Sequence, residues 1–177
     1  MAVVEIHQDS ASDSVSTIGF NHKKIHEGLH FSTSYYEKIG AASAINILVT
    51  APSTGNYNFI AEIDTDGPGI MTFSKNPNAT ATSSTSITLF NNNENNSNTA
   101  SMTIVANGTY TSSGTILATY VVGGSSGVGA TKVTVGGQGG SRFEWILAPN
   151  SVHLLRWVAD LASCRTSIRT HCYVEDW

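Results

Sequence analysis

The sharpest chemical signature in the chain is His26-Glu27-Gly28-Leu29-His30, which satisfies H-E-x-x-H. In a zinc protease these residues lie on a helix. Two imidazoles one turn apart then face one ion, and the glutamate between them serves as general base. The surroundings argue against that reading. Gly28 weakens a helix from within. The next residues are FSTSYY, and the extended motif needs a glycine and then a third histidine where this chain has Thr33 and Tyr36. Glu37 and Glu62 remain as third ligands, neither in helical surroundings. His22 lengthens the pattern to three histidines four residues apart. On an extended strand such histidines share a face but stand about 13 Å apart, too far to share an ion. The expectation is a polar strand edge carrying histidines, with no metal and no cofactor.

Other signatures are weaker. Residues 124–131, GSSGVGAT, have the outline of a phosphate-binding loop, but Ala130 stands where the lysine belongs. The following TKVTV reads as a strand, whereas that loop must open a helix. There is no G-x-S-x-G, and neither cysteine has papain-like surroundings. Asp64 and Asp66 lead into a Gly-Pro-Gly turn without further carboxylates at calcium-loop spacing, so they read as a solvated turn. Sequons at Asn78, Asn95 and Asn107 follow from composition. Trp145, Trp157 and Trp177 are candidates for a saccharide platform. Trp145 alternates with Phe143 and Leu147 and reads as core, and Trp177 as packing at an interface or a sandwich end.

The elements that would position any site are strands. Ile45, Ile47 and Val49 share a face, as do Tyr57, Phe59, Ala61 and Ile63. The same alternation groups Met102, Ile104 and Ala106, then Ile116, Ala118, Tyr120 and Val122. It groups Phe143, Trp145 and Leu147, and finally Ile168, Thr170, Cys172 and Val174. About ten short strands separated by turns imply an all-β chain folded as an antiparallel β-sandwich or barrel. FSTSYYEKIGAA at 31–42 fits a helix face or a strand. Residues 76–101, rich in Asn, Ser and Thr, and the glycine-rich 123–140 read as loops or strand-and-turn segments. Residues 1–24 read as an extended N-terminal arm, and 25–177 as the sandwich. The arm's apolar anchors, Ile6, Ile18 and Phe20, together with Trp177, are the candidate contacts to a partner or sister chain. Cys164 and Cys172 on one extended strand would sit about 26 Å apart, beyond disulfide reach, so both are expected reduced.

Composition agrees. Ser, Thr, Asn and Gly make up 72 of 177 residues, and only 12% are charged, about half the usual share. Such a chain disfavours helices, because short polar side chains compete for backbone hydrogen bonds and glycine costs entropy. A net charge of −4 without a basic run argues against nucleic acid. No apolar stretch approaches the length of a membrane span. The opening MAVVEIHQDSASDS lacks the charged and apolar regions of a secretory signal, so none is expected.

Two stretches carry a family likeness. Ile25-His26-Glu27-Gly28 with Phe31 and Tyr35, followed by INILVTAP at 45–52, resembles the opening of small structural proteins of tailed bacteriophages. Gly139-Gly140, FEWILAPN at 143–150, Leu154-Leu155-Arg156 and the terminal Tyr173-Val174-Glu175 resemble phage head decoration proteins, also called cement or auxiliary capsid proteins. The likeness spans about residues 25–175 and is strongest at its ends. Asn91–Asn98 depart from the pattern. The resemblance implies a jelly-roll-like sandwich on the outside of a virion assembled in the host cytoplasm. It would act as a dimer or trimer that bridges major capsid protein subunits, and would not be an enzyme. It also implies that His26 and Glu27 are structural. Two alternatives stand beside it: a receptor- or glycan-binding fibre module, and a small metalloprotease built on His26, Glu27 and His30. The protease would need a helix across 25–36.

Overall fold

The computed structural model describes residues 5–8, 15–18, 20–80, 84–122, 142–161 and 163–175. Strands β1 (Glu5–Gln8) and β2 (Val15–Ile18) pair antiparallel with each other. Helix α1 (Phe20–His26) follows. Then come β3 (His30–Ile39), β4 (Ala44–Thr50), β5 (Asn56–Thr65) and β6 (Gly69–Lys75). Short strands β7 (Asn78–Thr80), β8 (Thr85–Ile87), β9 (Phe90–Asn91), β10 (Thr103–Ala106) and β11 (Thr109–Ser112) form an excursion. The chain closes with β12 (Thr115–Val122), β13 (Arg142–Leu147), β14 (Val152–Ala159) and β15 (Cys164–Glu175).

One sheet runs β13-β5-β15-β3-β9 and the other β12-β6-β14-β4-β10-β8, with every pairing antiparallel. From β3 to β15 the chain changes sheet at each main strand except between β6 and β12. That order, eight strands wound as two packed four-stranded layers, is a jelly roll. The excursion adds β9 beside β3 and β10-β8 beyond β4, while β7 and β11 pair as a separate ribbon. The fold is therefore the antiparallel β-sandwich expected from the alternation. The ambiguous segment 31–42 resolves as strand over most of its length. The expected boundary after residue 24 falls inside α1.

Alternation builds the core. Phe59 of β5 and Phe73 of β6 meet between the layers with ring centroids 6.0 Å apart, and Trp145 of β13 stacks on Phe73 at 4.1 Å. Ile45, Ile47, Val49, Leu155, Trp157, Ile168 and Cys172 are among the other buried residues of this core. Burying large side chains of this kind contributes about 1.5–3 kcal/mol each. One inward assignment fails. The register of β12 against β6 shifts between Ile116 and Ala118. This bulge turns Ile116 out to 55% exposure, while Val122 stays buried. The phosphate-loop look-alike at 124–131 and the TKVTV segment lie outside the described residues.

Both cysteines sit on β15, buried and free. Burial pushes the Cys172 thiol up to about 12. The Cys164 thiol is also raised, by burial first and then by Asp66 and Asp160, and it donates to the Leu161 carbonyl at 3.2 Å. Thiolate is the reactive form. A thiol-specific reagent at pH 8 should therefore label neither cysteine in the folded chain and both in denaturant. Rapid labelling of the native protein would contradict this burial.

Candidate functional site

The H-E-x-x-H residues do not lie on one helix. Helix α1 ends at His26, and His30 is the first residue of β3. Gly28 causes the break. It adopts φ +68°, a conformation open to glycine but costly for other residues. The Gly28 N–H donates to the Ile25 carbonyl and the Leu29 N–H to the Lys24 carbonyl, both at 2.9 Å. This 6→1 and 5→2 pair is the Schellman ending of a helix. Glu27, the general base of the protease reading, instead lies 3.6 Å from the Lys23 ammonium and 3.3 Å from that of Lys24. The Lys24 ammonium is buried, so the ion pair compensates a charge that would otherwise be costly.

The asparagine-rich segment holds this helix end. Asn93 donates its side-chain amide to the His26 carbonyl at 3.0 Å, and Asn96 donates to the Glu27 carbonyl at 3.3 Å. Asn91 and Asn98 both donate to the Gly28 carbonyl, at 3.1 and 3.3 Å. The last carbonyls of a helix lack partners within it; here Asn93 and Asn96 supply two of them, and Asn91 and Asn98 hold the Gly28 carbonyl just beyond. The segment also orders itself. The Asn93 N–H donates to Asn91 Oδ1, that of Asn95 to Asn93 Oδ1, and that of Asn98 to Asn96 Oδ1. What reads as low complexity is a clamp on α1.

Two histidine arrangements result. His22 and His26, one turn apart on the exposed side of α1, bring their Nε2 atoms to 3.0 Å. The strand spacing expected for them, which kept them from sharing an ion, does not apply, because residues 20–26 are helical. On its other side α1 faces the outer surface of the five-stranded sheet. Asn21 and Ile25 there enclose a cavity of about 300 Å³ with His30, Ile60, Glu62, Asn92 and His171. The His30 and His171 rings lie 5.7 Å apart, and Tyr173 stacks on His30 at 6.0 Å. His30 titrates below the ordinary imidazole range. Burial is the main cause and the His171 charge adds to it, while a hydrogen bond with Asn92 opposes both. Nδ1 of His30 is buried without a hydrogen-bond partner. Ser32 donates to Asn92 Oδ1 at 2.7 Å and fixes that amide. The cavity offers two imidazoles, a carboxylate and amides beside two isoleucines. It suits a small polar ligand, and its lining holds no hydroxyl or thiol side chain.

The remaining candidates are placed as follows. Ile6 and Ile18 are on β1 and β2, opposite Thr17 and Glu5, and Phe20 opens α1. Their side chains and the whole of Trp177 lie outside the described residues. Trp145 is half-buried against Phe73 and Trp157 is fully buried, so neither forms a saccharide platform. Asp64 pairs with Arg169 at 2.8 Å, and Asp66 accepts the Arg165 N–H at 2.6 Å. Those two carboxylates are engaged rather than grouped around a cation. Among the described residues no three His, Cys, Asp or Glu side chains are arranged to hold a metal, and no helix is long and apolar enough to cross a membrane.

A further surface was missed from sequence. Among the described residues β12, TILATYVV, is an edge strand of its sheet, as β13 is of the other, and it carries no charge along eight residues. It exposes Leu117 and Val121 as well as Ile116. Val121 pairs with exposed Ile70 of β6, and Ile146 is exposed on β13, the edge strand of the other sheet. The two edges meet across the sandwich, where Tyr120 and Phe143 lie 3.8 Å apart. The alternation on β12 marks its inward residues, whereas the exposed apolar side chains Leu117 and Val121 lie among the outward ones. No protein-family model and no curated protein matches the sequence.

Proposed function

We propose that the chain is a structural virion protein that decorates a bacteriophage capsid, bridging neighbouring major capsid protein subunits as a homo-oligomer on the capsid exterior. The observation that carries this reading is the uncharged, apolar edge at β12. Proteins that keep sheet edges to themselves protect them with charges, prolines or bulges. Here the bulge lies at the start of the strand, and Leu117, Val121 and Ile70 remain open to solvent. Such an edge suits docking against another protein, and jelly rolls recur in viral capsid proteins. Repetition over a lattice turns a modest contact per copy into firm attachment. In this reading Ile6, Ile18, Phe20 and Trp177 supply further contacts from the chain's ends.

Co-sedimentation with full heads of the encoding phage tests it. The wild-type chain should pellet with heads. A Leu117→Lys, Val121→Lys variant of unchanged melting temperature should lose at least ten-fold in bound protein. Absence of wild-type binding, or equal binding by the variant, would remove the basis for the reading.

The second reading, a glycan- or receptor-binding module, is favoured by the polar cavity under α1 and by Phe90, which is 65% exposed on the strand leading to Asn92. Reproducible saccharide hits on a glycan array, lost in Glu62→Ala, would support it over decoration. The protease reading required a helix across 25–36, and residues 30–39 are strand.

A further inference from the structure

The geometry points to a divalent-cation site at His22 and His26, for an ion of the borderline-soft class that prefers imidazole, such as zinc, copper or nickel. The two rings lie within 16° of parallel, with centroids 4.7 Å apart, yet their Nε2 atoms are only 3.0 Å apart. They therefore converge on their Nε2 corners. Imidazole nitrogens bound to one zinc at about 2.0–2.1 Å, with an N–Zn–N angle of about 90–110°, stand about 2.8–3.4 Å apart. The observed separation falls in that interval. A neutral pair can also share one proton as N–H···N, so the distance alone does not decide.

Three further features favour the ion. Both rings are exposed, so an ion can enter and keep water in its remaining positions. The backbone beneath His26 is fixed by the Schellman ending and by the Asn93 amide on the His26 carbonyl, which holds the pair in register before any ion arrives. Preorganised ligands give up less conformational freedom on binding. Glu27 is turned to Lys23 and Lys24, and among the described residues no further His, Cys, Asp or Glu joins the two imidazoles in a larger ligand group. Imidazole suits zinc, copper and nickel, whereas magnesium and calcium take oxygen ligands. The site is distinct from the H-E-x-x-H arrangement, because it uses His22 and excludes His30.

Calorimetric titration of the full chain with zinc, copper and nickel chlorides, with magnesium chloride as control, tests the assignment. One ion should bind per chain, tightest for copper, with no heat from magnesium. His22→Ala and His26→Ala should each weaken binding at least ten-fold without changing the melting temperature of the metal-free protein. His30→Asn should bind as wild type, provided it remains folded. Electron paramagnetic resonance of the copper complex should show two imidazole nitrogens, one of them lost in each alanine variant. Binding that survives His22→Ala but fails in His30→Asn would overturn the site in favour of the H-E-x-x-H residues. No binding, or an adventitious ion only, unaffected by either alanine variant, would overturn it outright.

Discussion

Replacing Gly28 with alanine is expected to destabilise the protein by about 2–4 kcal/mol, far beyond the effect of an exposed loop substitution. The left-handed conformation, φ +68°, costs a residue with a Cβ roughly 1–2 kcal/mol. The new Cβ would stand 2.2 Å from Cγ of Asn96, and 2.4 and 2.6 Å from the two amide atoms. Asn96 can move away, but only by giving up its bond to the Glu27 carbonyl and the one it accepts from the Asn98 N–H. Each such bond is worth about 1 kcal/mol. The two positions are therefore coupled. Asn96→Ala alone should cost about 1–2 kcal/mol, because it removes the same bonds without strain. The double variant should then fall short of the sum by about 1 kcal/mol or more, since the clash is gone. Chemical denaturation of the four proteins measures this directly. Strict additivity would mean that Asn96 does not brace the helix end.

That coupling also explains what the sequence could and could not convey. Period-2 alternation made β4, β5, β13 and β15 readable, because each has one face in the core, as with Ile45, Ile47 and Val49 or Phe59, Ala61 and Ile63. Helix α1 was hidden. Seven residues, FNHKKIH, are too few for a convincing helical period, and isolated helices of that length are unstable. Its stability comes instead from asparagines on a distant segment, which composition alone marks only as low complexity. A local signal was nonetheless present. Lys23, Lys24 and His26 followed by Gly28 make a basic last turn with a glycine just beyond it, a recognised stop signal. A strand over these histidines is incompatible with that stop signal and with the one-turn His22–His26 pair. Ile116 was misplaced for a different reason: a bulge breaks the period without leaving a mark in the residue types. The decoration reading draws on the family likeness at the chain's two ends. The open β12 edge gives it a physical surface that the likeness did not identify.

Acid should weaken the fold through a residue that no motif singled out. His153 lies on β14 among its inward residues, 3% exposed, with its ring parallel to Phe73 at a centroid distance of 5.1 Å. Nδ1 has no hydrogen-bond partner. Burial first, and then the Lys75 ammonium from the neighbouring strand β6, push the imidazole down to about 4 from its usual 6.5. The folded state thus holds His153 neutral where the unfolded chain would protonate it. Stability from this group is complete above pH 6.5 and is lost progressively as the pH falls toward 4. Below 4 both states carry the proton and the loss stops. A shift of this size corresponds to at most about 3 kcal/mol, a large share of the stability of a single domain. His30, also held below its normal range, steepens the same decline, so the wild-type profile alone does not isolate His153. Comparison with His153→Leu does. The variant keeps an apolar side chain in the slot beside Phe73 and has nothing there to titrate. Its denaturation free energy should fall less than that of the wild type between pH 7 and pH 4, by up to about 3 kcal/mol. Parallel profiles for the two proteins would show that the imidazole is already solvated in the folded chain, and would remove His153 as the source of acid sensitivity.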